Sequence, residues 1–206
     1  GKTLICAGLF AISCRKIKSM KNSGNFGGRE LVMAGCMALD GTAAAVERAP
    51  APLERLPREL GEDALRLWEA QKKIYRQLSQ ETGTESLLVY RIEEESLFRA
   101  LWQVALEWQT GFQVDLARIP LRQETVEICE CLGLNPYWLR SGCCLLLAGE
   151  NGGRLARRLR ERGLAARVIG QLTAGRDKLL IHGQTTSCLN RPQADELERL
   201  AAGQTR

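Results

Sequence analysis

Histidine is almost missing from this chain of 206 residues, in which His182 is the only one. The eight cysteines include no Cys-x-x-Cys pair. Structural zinc sites use closely spaced cysteine and histidine ligands, and His182 has no evident partner for nucleophilic chemistry. The sequence therefore predicts no metal-ligating residues, and it leaves any catalytic residues unknown.

Long apolar runs are missing as well. The run from Leu4 to Ser13 is shorter than the roughly 20 residues that a membrane-spanning helix needs. Its cations, at Arg15, Lys16 and Lys18, follow the run, whereas those of a secretory signal precede it. The cysteines of later apolar segments are expected to pack as reduced thiols. These features predict a cytoplasmic protein with no membrane partner.

Phosphate-binding signatures are also lacking, since the chain has no P-loop and only scattered glycines. The formal net charge is +5, and most of the surplus comes from arginines of one predicted helix, Gly152 to Arg162. A basic helix face is more often solvated than bound to a polyanion. We therefore predict no nucleic-acid partner.

The first part of the chain differs from the rest. Residues 1–28 hold four of the seven lysines and end in a Gly/Asn-rich stretch, which predicts an irregular lead-in. Met20 is a candidate natural start. Regular patterning begins near Glu30, so we predict one domain over 29–200 and a tail at 201–206.

The pattern from Glu30 onward predicts alternating strands and helices. Asp40 or Thr42 is expected to cap an Ala-rich helix, which Ala49 to Pro52 should break. The turn from Ala174 to Asp177 is expected to join the last two strands as a hairpin. This order predicts an α+β fold of split-βαβ character, with helices packed on a mostly antiparallel sheet. The other predicted helices are Glu59 to Ser79, Glu94 to Trp108, Gln123 to Leu132 (closed by Gly133) and Gly152 to Arg162. The predicted strands are Leu31 to Cys36, Leu87 to Tyr90, Phe112 to Leu116, Cys143 to Ala148, Arg167 to Leu172 and Lys178 to His182.

Residues 115–142 have an order that identifies a family. Asp115-Leu116 is followed by IPLRQETVEIC over Ile119 to Cys129, then by GLNPY from Gly133 and by Ser141-Gly142. This order resembles the carboxy-terminal domain of the aminoimidazole-ribonucleotide (AIR) synthetase superfamily, and most of all its HypE-like and AIR synthase-related branch. The resemblance covers Gly28 to Leu197. Three further segments fit it: Leu31 to Met33 with Leu39 to Thr42, Leu97 to Trp102, and Val168 to Leu172.

The resemblance implies ATP-dependent phosphoryl transfer with magnesium at a site between two domains. The amino-terminal domain of such proteins carries an acidic metal and phosphate motif and forms the dimer barrel, and residues 1–28 have no such motif. We therefore expect that the ATP-binding domain is absent, and that ATP and magnesium bind only if a partner domain is present. The candidate ligand-binding residues are Asp40, Gly41, Thr42, Ser141 and Gly142. A helix cap at 40–42 and a plain turn at 141–142 are the alternatives.

The sequence departs from the family at 91–96. The family has an Asp-x-Thr-x-Gly-Gly turn there, whereas this chain has Arg91 at the Asp position and Glu95-Ser96 at the glycines. Glu93 to Glu95 would repel an anionic substrate. They are either magnesium ligands or acids of a helix's first turn. Cys143-Cys144 is either a redox pair or buried strand packing, and packing is favoured.

Three functional hypotheses follow. The first is a domain of this superfamily that is catalytically inactive alone, a possible pseudoenzyme acting as a ligand-binding or assembly module. The second is part of a HypE-like maturation enzyme that another chain completes. The third is a structural interaction protein. Because a missing facing domain would leave its cleft face exposed, we expect self-association, such as a dimer, or a partner domain covering that face.

Overall fold

The computed structural model describes residues 26–80 and 88–202. Within these ranges the chain forms one seven-stranded sheet flanked by α-helices. The strands are β1 Glu30–Ala34, β2 Leu88–Ile92, β3 Gly111–Asp115, β4 Cys144–Gly149, β5 Ala166–Thr173, β6 Lys178–His182 and β7 Thr185–Cys188. The helices are α1 Leu39–Arg48, α2 Pro50–Leu53, α3 Arg58–Gln80, α4 Leu97–Glu107, α5 Gln123–Leu132, α6 Gly152–Glu161 and α7 Glu196–Ala201. The predicted α+β class, with helices on a mostly antiparallel sheet, is confirmed.

The strand order is β2-β4-β1-β5-β3-β6-β7, and only the pair β3–β6 is parallel. The predicted hairpin between β5 and β6 is wrong, because β3 lies between them: Phe112 pairs with Leu172 on one side and with Lys178 on the other. The loop that joins β5 to β6 crosses the start of β3, where Phe112 N donates to Asp177 O at 2.9 Å. A side chain at Gly111 would be 2.5 Å from that same carbonyl oxygen.

The sheet is covered by helices on both faces. Leu101 of α4 and Ile128 of α5 belong to the core on one face, while Leu155 and Leu159 of α6 belong to the core on the other. Helix α3 contributes to both cores. Strand β4 lies between the two layers, and all six of its residues are buried. Burial on both faces explains why this strand is a continuous apolar run rather than an alternating one.

Most predicted helices are present with small changes at their ends. Helix α5 ends at Leu132 as predicted, and Gly133 closes it with φ 63° in the left-handed region that glycine tolerates. Helix α1 ends at Arg48, before the proline-rich break, and Pro50–Leu53 form a short helix of their own. Among the described helices, none combines the length and the apolar character that crossing a membrane requires.

Candidate functional site

The five predicted ligand-binding residues meet at one junction in the fold. Asp40, Gly41 and Thr42 lie in the first turn of α1, and Ser141 and Gly142 lie just before β4. The two segments are directly bonded, since Gly41 N donates to the carbonyl oxygen of Arg140 at 3.0 Å. We call this contact between 38–42 and 139–142 the α1–β4 junction.

The carboxylate of Asp40 is compensated by a nearby guanidinium. Nε of Arg140 lies 2.6 Å from Oδ2 of Asp40, and Nη2 donates to Oδ1 at 3.0 Å. Asp40 is buried and Arg140 is partly exposed. The positive charge of Arg140 therefore balances the negative charge of Asp40 within the junction. Sequence reasoning missed Arg140, because nothing in its local pattern indicates a partner one hundred residues away.

The amino end of α1 is closed by protein atoms. The expectation that Asp40 or Thr42 caps this helix is wrong: the cap is Ala38, which has φ 62° and no side-chain bond to the helix. The hydroxyl of Thr42 instead donates to Ala38 O at 2.7 Å. Ala38 N in turn donates to Ser141 Oγ at 3.0 Å, so the segment before β4 positions the start of α1.

Both junction glycines allow the two segments to approach closely. A Cβ on Gly41 would lie 2.4 Å from Leu139 Cγ. A Cβ on Gly142 would lie 2.7 Å from Asp40 Oδ2 and from Glu93 O. Real Cβ atoms avoid such distances, so these positions admit only glycine without local movement. Protein atoms fill the space beside each glycine.

The altered turn at 91–96 joins β2 to α4. Ser96 caps α4, accepting from Arg99 N at 3.4 Å, so the helix starts later than the predicted Glu94. Glu93, Glu94 and Glu95 therefore precede the cap. The alternative that they are acids of the helix's first turn is wrong. Glu95 accepts a hydrogen bond from the Tyr90 hydroxyl at 2.7 Å, and burial raises the pKa of this carboxyl.

Three cysteines gather beside the junction around the buried amide of Gln71. The Oε1 atom of Gln71 accepts from Cys36 N at 2.7 Å, and its Nε2 lies 3.5 Å from Cys144 Sγ. Cys144 opens β4 and is fully buried, which raises the pKa of its thiol well above the ordinary value. Cys143 precedes the strand, is half-buried and has φ 57°. Burial also raises the pKa of the Cys143 thiol.

A carboxylate occupies the amino end of the arginine-rich helix α6. Glu30 Oε2 accepts from Gly152 N at 2.6 Å and from Gly153 N at 3.2 Å. Asn151 caps the same helix by accepting from Arg154 N at 2.9 Å. The backbone donors that could hold a phosphate at this helix end are therefore already bonded to Glu30 and Asn151.

Comparison with solved structures matches this fold to hydrogenase maturation proteins. No family model and no curated protein sequence matches the chain. Escherichia coli HypE aligns with a TM-score of 0.62 and 15% identity over 84% of this chain and 53% of that one. HypE in complex with ATP aligns at 0.60 and 17%, over 84% and 54%. HypE in the HypE–HypF complex aligns at 0.58 and 14%, over 81% and 53%.

The chain has the HypE fold. The predicted resemblance to HypE-like proteins is confirmed as a likeness of fold. The chain spans about half the length of the HypE structures it matches.

Proposed function

We propose that the chain is a non-catalytic module on the HypE fold, which binds a ligand or supports an assembly and performs no ATP chemistry by itself. The closed α1–β4 junction is the observation that carries this proposal. Asp40 is paired with Arg140, and the Ser141 hydroxyl both accepts from Ala38 N and donates to Leu139 O. A phosphate or cation would have to break these buried contacts before it could bind, which is costly.

The side chains of the described residues offer little support for a metal site that this chain forms alone. Within residues 26–80 and 88–202, no three His, Cys, Asp or Glu side chains are grouped as metal ligands. One of the HypE structures is a complex with ATP, and that ligand is a property of HypE. For this chain we propose ATP and magnesium as ligands only when a second domain supplies the acidic motif.

Calorimetry of the 206-residue chain with magnesium and ATP tests the inactive-module proposal. We expect no heat of binding, and micromolar binding by the chain alone would contradict it. The matched variant Arg140→Met removes the guanidinium that compensates Asp40 while retaining an apolar stem. Magnesium binding by this variant but not by the natural chain would show that the ion pair is what excludes the cation.

The second candidate is a HypE-like, ATP-dependent maturation enzyme that another polypeptide completes. The share of HypE that the alignment covers favours this candidate, because this chain matches only about half of the length of each HypE. We also propose that such a domain, or a second copy of the chain, covers the face beside the junction. Sequencing the coding region upstream of this chain tests the idea. A frame encoding the acidic domain, together with ATP hydrolysis by the joined protein only, would support it.

We further propose that the protein works in a reducing compartment such as the cytoplasm. The six cysteines of the described residues are all free thiols, and three of them are buried: Cys36, Cys129 and Cys144. Fractionation of the host cell, followed by thiol trapping of the chain, tests this proposal, and recovery of a disulfide-linked form would contradict it.

A further inference from the structure

The two edge strands of the sheet, β2 and β7, differ in burial. At β2, every residue is partly or fully buried. At β7, all four residues are exposed, and no other strand of the described chain pairs with its outer side. An open edge offers unpaired backbone donors and acceptors to another strand.

The backbone groups that face outward on β7 can be assigned from the ladder. Leu189 N donates to Lys178 O at 2.7 Å, which continues the antiparallel register of β6 and β7. Because N–H directions alternate along a strand, Ser187 faces β6 in the same way. The N–H and C=O groups of Thr186 and Cys188 therefore point away from the sheet.

Strand β7 is short, with four residues, but it lacks the other usual features that prevent pairing between edges. Its sequence, Thr-Thr-Ser-Cys, has no charge and no proline, and its ladder with β6 is regular. Thr186 and Cys188 lie opposite Ile181 and Leu179, whose side chains are half-exposed on the same sheet face. The edge therefore combines free hydrogen-bonding groups with a partly apolar, uncharged surface.

We propose that β7 pairs antiparallel with β7 of a second copy across a two-fold axis, joining two seven-stranded sheets into one. Two copies with a net charge of +5 each repel one another overall, and a contact through the uncharged β7 adds no like-charge pair to that repulsion. A two-fold axis at Ser187 places Thr186 of each copy opposite Cys188 of the other, so one strand supplies both donors and acceptors. This contact depends on the sheet edge alone, not on the proposed function of the α1–β4 junction.

Sedimentation velocity of the full 206-residue chain, in reducing buffer over a concentration series, tests the proposal. We expect a reversible dimer. Thr186→Pro should weaken it about tenfold or more, because the two-fold symmetry repeats the loss of the outward N–H donor in both copies. This variant keeps the bonds to β6, since the Thr186 N–H points outward. Thr186→Lys places two like charges at the contact and should weaken it similarly, whereas the exposed Gln77→Lys on α3 adds the same charge elsewhere and should not.

Hydrogen exchange gives a second readout that does not depend on the variants. The amides of Thr186 and Cys188 should gain protection as concentration rises, and those elsewhere on the surface should not. A chain that stays monomeric, or a dimer indifferent to Thr186→Pro and Thr186→Lys, would overturn the proposal. A dimer that disappears in reductant would also overturn it, because Cys188 would then link the copies through a disulfide.

Discussion

Arg140 and Asp40 form an ion pair that joins segments one hundred residues apart in the chain, with Nε 2.6 Å from Oδ2. The pair holds the first turn of α1 against the segment that leads into β4. Beside it, Gly41 N donates to the carbonyl oxygen of Arg140 itself. One residue therefore fixes the amino end of α1 through both its side chain and its backbone.

Breaking this pair from either side should destabilise the fold. We expect Asp40→Asn and Arg140→Met each to lower the free energy of unfolding by about 2 kcal/mol, because each leaves a partly buried charge without its partner. The double variant should lose less than the sum of the two losses. Urea denaturation of all four proteins measures this coupling, and additive losses would show that the contact contributes nothing.

Gly142 should tolerate no side chain. A Cβ there would be 2.7 Å from Asp40 Oδ2 and from the Glu93 backbone, so we expect Gly142→Ala to cost about 2 kcal/mol of stability. Gly153 in α6 is the matched control, because nothing lies within 4 Å of its Cβ position. Gly153→Ala should be neutral or stabilising. Thermal unfolding distinguishes the two, and equal effects would argue against the packing explanation.

Local patterns predicted the parts of this fold that depend on neighbouring residues. The end of α5 at Gly133 follows from its helical spacing and from a glycine that tolerates positive φ. The position of β3 between β5 and β6 could not be predicted in this way, because strand pairing is set by contacts between distant segments. The sequence pattern did not predict strand β7, because its four exposed residues show no alternation of apolar and polar side chains. In the junction, sequence reasoning selected Asp40 and Ser141, but their actual partners lie far along the chain.

The carboxylate of Glu30 should stabilise α6. It accepts two backbone N–H groups at the amino end of the helix, where negative charge is favoured by the helix dipole. We expect Glu30→Gln to lower the free energy of unfolding by about 1 kcal/mol, since the amide keeps an acceptor but loses the charge. The exposed Glu94→Gln is the control for removing one negative charge. A loss of stability in both variants would mean that the change in net charge, and not the contact with the helix end, is responsible.

The thiols should react in an order set by burial. Cys188 is exposed, and Cys143 is half-buried with a raised pKa. Burial raises the pKa of Cys129 to about 12 and that of Cys144 well above its ordinary value. Because the thiolate is the reactive form, alkylation of the native protein should modify Cys188 before Cys143, and both before Cys129 and Cys144. Peptide mass mapping over time follows this order, and urea should abolish it. Early labelling of Cys144 would contradict the packing of β4.

Glu95 should make stability fall as pH rises through the mildly acidic range. Burial raises its pKa above the ordinary 4.5, while the hydrogen bond from Tyr90 partly offsets that shift. The native state therefore holds this proton more tightly than the unfolded chain does, so the free energy of unfolding declines as pH increases past 4.5.

Glu95→Gln removes this titration and keeps an acceptor for Tyr90. Its stability relative to the natural chain should improve between about pH 4 and pH 7, by less than about 1 kcal/mol because the side chain is partly hydrated. Glu94→Gln, at an exposed neighbour, removes the same charge and is the matched control. Urea denaturation at both pH values measures the difference. A constant difference between Glu95→Gln and the natural chain would mean that Glu95 has the same pKa in both states.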